Sequence, residues 1–110
     1  MNRPFNPDTT VHANDVVQKA ALHMRGRAST YDKPEGERSM AKTVALFNTL
    51  VDTDLTEEDG WMFMALLKMV RSQQGDFRID NYEDGCAYFA LAAEAGAAAR
   101  NYKHSELPDA

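Results

Sequence analysis

Cysteine is almost absent from this chain: Cys86 is the only one in 110 residues. No disulfide can form within the chain, and no cysteine-based zinc site can be built. Both exclusions suit a reducing compartment. Cys86 lies in an apolar run, which predicts a small buried residue rather than a nucleophile. Positive charge is also scarce, with 12 Lys and Arg against 17 Asp and Glu and a net charge of −5. That balance excludes broad binding to nucleic acid or to an anionic membrane, while leaving room for a local basic patch. Long apolar runs are missing too. No stretch nears membrane-spanning length, and the first residues carry no apolar signal region, so the expectation is a cytoplasmic protein without a membrane partner. The three histidines, His12, His23 and His104, have no metal-ligand spacing and read as surface residues. Ser29 and Thr30 have no histidine near them in sequence, so a hydrolytic triad has no support. Strand signals and internal repeats are absent.

What is present is helical periodicity. The organising stretch is Trp61-Met-Phe-Met-Ala-Leu-Leu-Lys-Met-Val-Arg71, apolar almost all the way round a helix. Such a segment belongs in the middle of a bundle. Upstream, residues 1–12 carry two prolines and read as a flexible arm. A first helix starts near Asn14, a good N-cap, and runs through Val16, Val17, Ala20, Ala21 and Met24. The polar segment 25–33 reads as a connection. A second helix runs from Pro34 to Val51, with Met40, Val44, Phe47 and Val51 as its buried stripe and Glu37 one turn before it. Thr56 caps the third helix, 57–74, with acidic residues in its first turn and Gly75 as its stop. The acidic cluster 52–59 lacks the glycine and distal glutamate of a calcium loop. Asp80 or Asn81 caps the fourth helix, which ends near Asn101 in an alanine-rich half suited to close packing. Residues 103–110 form a flexible tail. The fold class is therefore all-α: a single four-helix, bundle-like domain over 13–102.

The chemistry concentrates on helices three and four. Lys68 and Arg71 fall three apart on the apolar third helix, on the side of Trp61 and Met64, and charges in such a setting require partners. Asp80, Asp84, Ala87 and Leu91 form one stripe on the fourth helix. An antiparallel pair would bring Arg71 to Asp80 or Asp84, with Lys68 one turn deeper. Three readings stand. The set is a structural ion-pair network that fixes helix register. Or Lys68 and Arg71, with Arg25, Arg27 and Tyr31 closing over them, bind a nucleotide or phosphate ligand. Or Asp80, Asp84 and Glu37 hold magnesium. Tyr82, Tyr88, Phe89 and Tyr102 read as core and interface aromatics, and the six methionines as core filler.

The run Arg27-Ala-Ser-Thr-Tyr31 followed by Pro34, then Ala65-Leu-Leu-Lys-Met-Val-Arg71, then Asp80-Asn-Tyr-Glu-Asp84-Gly-Cys-Ala-Tyr88, resembles an uncharacterised helical domain family of phages and prophages. The resemblance implies a host-cytoplasmic phage protein. More distantly, the layout is similar to the MazG-type all-α nucleoside triphosphate pyrophosphohydrolases, helical bundles that oligomerise and bind magnesium through acidic residues of paired helices. On that likeness Asp80 and Asp84 stand for the acidic pair of the last core helix. The E-E-x-x-E cluster of an earlier helix is missing here, with only Glu35 and Glu37 near it. The resemblance thus implies a homo-oligomeric, catalytically degenerate relative that binds a nucleotide or phosphate. The alternative is a phage protein that modulates a host enzyme or defence complex through protein contacts.

Overall fold

The computed structural model describes residues 10–31 and 39–103. Four helices follow in order: α1 Ala13–Tyr31, α2 Ser39–Val51, α3 Glu57–Ser72 and α4 Ile79–Ala99, with no strand among the described residues. The all-α, four-helix architecture expected from periodicity is the architecture found. The expected arm and tail fall almost wholly outside the described residues, as does the expected start of α2 at Pro34.

Helix α1 begins one turn-position earlier than Asn14. His12 carbonyl accepts from the Asp15 and Val16 amides, and the Asp15 carboxylate accepts from the His12 amide. It also continues through the segment read as a connection. Gly26 costs a helix only about 1 kcal/mol relative to alanine. Ser29 and Thr30 then donate their hydroxyls back to the Gly26 carbonyl, each at 2.9 Å, which lets polar residues stay inside a helix.

Helix α3 starts as the sequence predicts. Thr56 accepts from the Asp59 amide and the Asp59 carboxylate accepts from the Thr56 amide, a complete capping box. Gly75, with φ at +65°, follows its end, a conformation that favours glycine. The α2–α3 link is organised by Asn48. Its carboxamide accepts from the Leu55 amide and the Thr53 hydroxyl and donates to the Leu55 carbonyl. Helix α4 departs from expectation at its start. Arg78 precedes it without a side-chain cap, and Asp80 and Asn81 sit inside its first turn.

Helices α3 and α4 run antiparallel: Glu58 meets Arg100, Lys68 meets Asp84, and Gln73 approaches Tyr82. The core is a small cluster of Trp61, Leu91 and Ala92, with Met24, Met40, Met64, Tyr88 and Ala95 packed against it. Trp61 stacks on Tyr88 with centroids 5.8 Å apart. Helix α1 covers another side of α4. Helix α2 reaches α3 at Gly60, where an added Cβ would lie 2.5 Å from Met40 Sδ and 2.9 Å from Val44 Cγ2. The stripe expected on α2 is mostly bare. Val44 is buried and Met40 half-buried, while Phe47 and Val51 are exposed. A helix that crosses its neighbour at one point covers only the residues at that crossing.

Candidate functional site

The sequence places its charges on α3 and α4; the fold adds α1. On α1, Val16, Ala20, His23 and Arg27 recur at spacings of four, three and four, so they share one face. Ala20 is buried against α4, which brings His23 and Arg27 to the same helix. His23 Nε2 lies 3.0 Å from Glu83 Oε1. An ionised carboxylate only accepts, so Nε2 carries the proton. Arg27 sits over the ring of Tyr88, 5.2 Å from its centroid and within cation–π range.

From α3, Lys68 Nζ reaches Asp84 Oδ2 at 3.0 Å, with the two side chains only 15% and 20% exposed. Glu83 is more enclosed, at 11%. Asp80 lies one turn before Asp84. The Arg78 guanidinium hydrogen-bonds it and holds its carboxyl below the ordinary aspartate value, with a smaller electrostatic contribution from Lys68. The result is a charged seam along α4 from Asp80 to Tyr88. It draws His23 and Arg27 from α1, Lys68 from α3, and Asp80, Glu83 and Asp84 from α4.

Several expectations need correction. Arg71 does not meet Asp80 or Asp84. It is exposed and makes no ion pair among the described residues. Three residues fall short of a full turn, so Arg71 comes round the edge of α3 at its last turn, where its long stem reaches water. Asp80 pairs with Arg78 instead. Cys86 is exposed rather than buried. Arg25 is also exposed and stands apart from the seam. Glu37 and the Tyr31 side chain lie outside the described residues. Asp80 and Asp84, the other two residues assigned to magnesium, each turn to a cation, and the described residues hold no group of three or more metal-ligating side chains.

Three participants escaped the sequence reading. His23 and Glu83 were legible only through the α1 recurrence that also carries Arg27. Arg78, two residues before Asp80, looked like linker. Asn81 was read as a cap but is buried. It lies at the end of an apolar cleft of about 290 Å³ between α3 and α4.

A sequence profile of a known family matches residues 15–96. The chain belongs to DUF6378, a domain of unknown function. The DUF6378 match takes in the whole seam, from His23 to Tyr88, and leaves Arg100 outside. No curated protein and no solved structure matches the chain significantly. No helix among the described residues is long and apolar enough to cross a membrane.

The Asp80 environment sets a pH dependence with a definite sign. Its native pKa is lowered, so the Arg78 contact stabilises the fold above the unfolded-state pKa and is lost as pH falls through the lower native value. In Arg78→Gln the Asp80 carboxyl should titrate closer to the ordinary value, read by NMR of the carboxyl carbon. An unchanged titration would mean that Arg78 does not hold it.

Proposed function

We propose that this DUF6378 chain binds a phosphorylated small molecule, of which a nucleotide is the first candidate, at the seam between α1, α3 and α4. The carrying observation is an inversion of the usual economy of burial. Lys68, Asp84 and Glu83 are largely enclosed, while Leu66, Phe63 and Phe89 stand in water at more than half exposure. Desolvating ions costs several kcal/mol each, and apolar side chains in the same space would stabilise the fold better. A chain that breaks this rule in its interior marks that place as a candidate for function.

In this reading Lys68 exchanges Asp84 for a phosphate oxygen, and Arg27 moves from Tyr88 to supply a second, bidentate contact. Tyr88, already stacked on Trp61, is left as a flat surface for a ring. Once released from their cations, Asp84 and Asp80 are the carboxylates that would hold magnesium beside that phosphate, an oxygen-ligand setting the ion prefers. The MazG-like likeness and a phage origin belong to this same proposal, with binding rather than turnover as the expected activity.

The test is thermal unfolding against a panel of nucleotides and inorganic phosphate, with and without magnesium. A ligand that binds only the folded chain raises the midpoint, by an amount that grows with its concentration. At least one phosphorylated compound should do so, and a flat response across the panel would refute the proposal. A second reading is favoured by α2, where Leu46 and Leu50 are 74% and 84% exposed. There the chain acts on a host enzyme or defence complex by contact, and a purified host protein raises the midpoint where nucleotides do not.

A further inference from the structure

The last two turns of α2 are largely bare. Met40 and Val44 meet α3 at Gly60; further along, Leu46 and Leu50 stand in water, with Phe47 and Val51 each close to half exposed. Positions 46, 47, 50 and 51 are neighbours on a helix, so these four side chains make one apolar ridge. Leu55, also exposed, extends it, because the Asn48 carboxamide ties Leu55 back to the helix. An apolar patch rimmed by polar residues is the mark of a protein contact. We propose that this ridge docks a basic amphipathic helix of a partner protein. The partner's apolar stripe covers Leu46, Phe47, Leu50 and Val51, and its Lys or Arg side chains meet Asp52 and Asp54.

Charge selects this occupant. Between Lys42 and Lys68 the chain has no Lys or Arg, while Asp52, Asp54, Glu57, Glu58 and Asp59 all fall there. Those five charges match the net −5 of the whole chain. Three of the carboxylates are engaged: Glu57 accepts from the Trp61 indole, Glu58 pairs with Arg100, and Asp59 closes the capping box. Asp52 and Asp54 are exposed and make no ion pair among the described residues. They follow directly on the carbonyl end of α2, which carries partial negative charge and has no basic residue in its last turn. The ridge therefore sits in a negative field. Nucleic acid and anionic lipid are repelled from it, and a cationic segment is drawn to it. A helix fits better than an extended strand, because two rows of side chains at helical spacing seat between the rows of another helix. The proposal rests on the contact reading of α2, to which it adds the partner's chemistry, and is independent of the ligand reading of the seam.

Short amphipathic helical peptides are the probe, with leucine on one face and lysine on the other, and with glutamine and glutamate versions for comparison. Binding is read by fluorescence anisotropy of the labelled peptide. The lysine peptide should bind the chain, and more weakly as salt is raised, because the attraction is screened. Leu46→Ser/Leu50→Ser should weaken binding about tenfold, the scale of losing anchors at a contact. Its far-UV circular dichroism should stay native, since both side chains stand in water. Asp52→Asn/Asp54→Asn should weaken binding several-fold at low salt and flatten the salt dependence. Asp76→Asn/Phe89→Ser, the same kinds of change on the α3–α4 link and on α4, should bind as the parent does. A lysine peptide that does not bind overturns the proposal. If the glutamine or glutamate peptide binds as tightly and is released by the leucine changes, the basic partner is overturned and α2 remains a contact face. If the leucine changes release no peptide, partner and contact face are both overturned. Self-association seen by sedimentation in the parent and lost in Leu46→Ser/Leu50→Ser overturns the proposal in favour of a second copy. If that variant fails to fold, the comparison of lysine with glutamate and the salt series on the parent chain still decide.

Discussion

Replacing Lys68 by methionine should destabilise the fold by about 3 kcal/mol, the low end of what breaking a buried ion pair costs, since Asp84 keeps some contact with water. Methionine preserves most of the lysine stem, so the loss is that of the ammonium and not of packing. Asp84→Leu should cost a similar amount for the converse reason, an ammonium left without its anion. The double variant Lys68→Met/Asp84→Leu should recover most of this and unfold at a denaturant midpoint near that of the parent, because neither charge is then buried. Urea unfolding of the four proteins gives the coupling energy directly. The double variant also separates the two roles the pair could have. If the pair serves a ligand, the double variant unfolds cooperatively and has lost its response to phosphorylated compounds. If the pair only fixes helix register, the double variant unfolds over a broad range and its near-ultraviolet dichroism weakens, while any ligand response persists in proportion to the folded fraction.

Trp61→Ala should cost about 4 kcal/mol, within the range for deleting a large aromatic side chain from a core. Against a total stability of about 5–15 kcal/mol for an ordinary domain, that leaves the chain close to unfolding. The reason is position. Trp61 is buried at the centre of the apolar cluster, touching α4 and reached by Met40 of α2. It also supports Tyr88, over which Arg27 lies, so its removal loosens the seam as well as the core. Trp61→Phe keeps a ring under Tyr88 and should cost much less. Trp61 is the only tryptophan, so far-UV dichroism is the measurement to use. A loss below 1 kcal/mol for the alanine variant would show that the cluster is not what holds α3 to α4.

Helix number and type were legible because both rest on local signals. The Thr56–Asp59 capping box, Gly75 and the period of the apolar residues are properties of a few neighbouring positions. The extent of α1 was misread because one glycine and several polar residues resemble a connection. Its last two turns are set by what Arg27 meets on α4 and by hydroxyls that fold back on the helix. The site was half legible. A lysine on a greasy helix and two aspartates on one stripe announced a pairing, and Lys68 does pair with Asp84. Arg71 was assigned to the same cluster on spacing alone, and spacing does not say where around its axis a helix meets its neighbour.

The apolar character of α3 shows the division most clearly. From residues 61–71 alone, this segment requires neighbours on nearly every side. Where those neighbours stand, and which side they leave open, depends on the crossing of α2 at Gly60 and the antiparallel docking of α4. The same docking decides that Cys86 and Phe89 face outward while Asp84 faces Lys68. Local sequence determines which faces are apolar, because side-chain direction follows helical geometry. Only the tertiary structure decides which of those faces is covered, because that depends on the relative placement of helices distant in the chain.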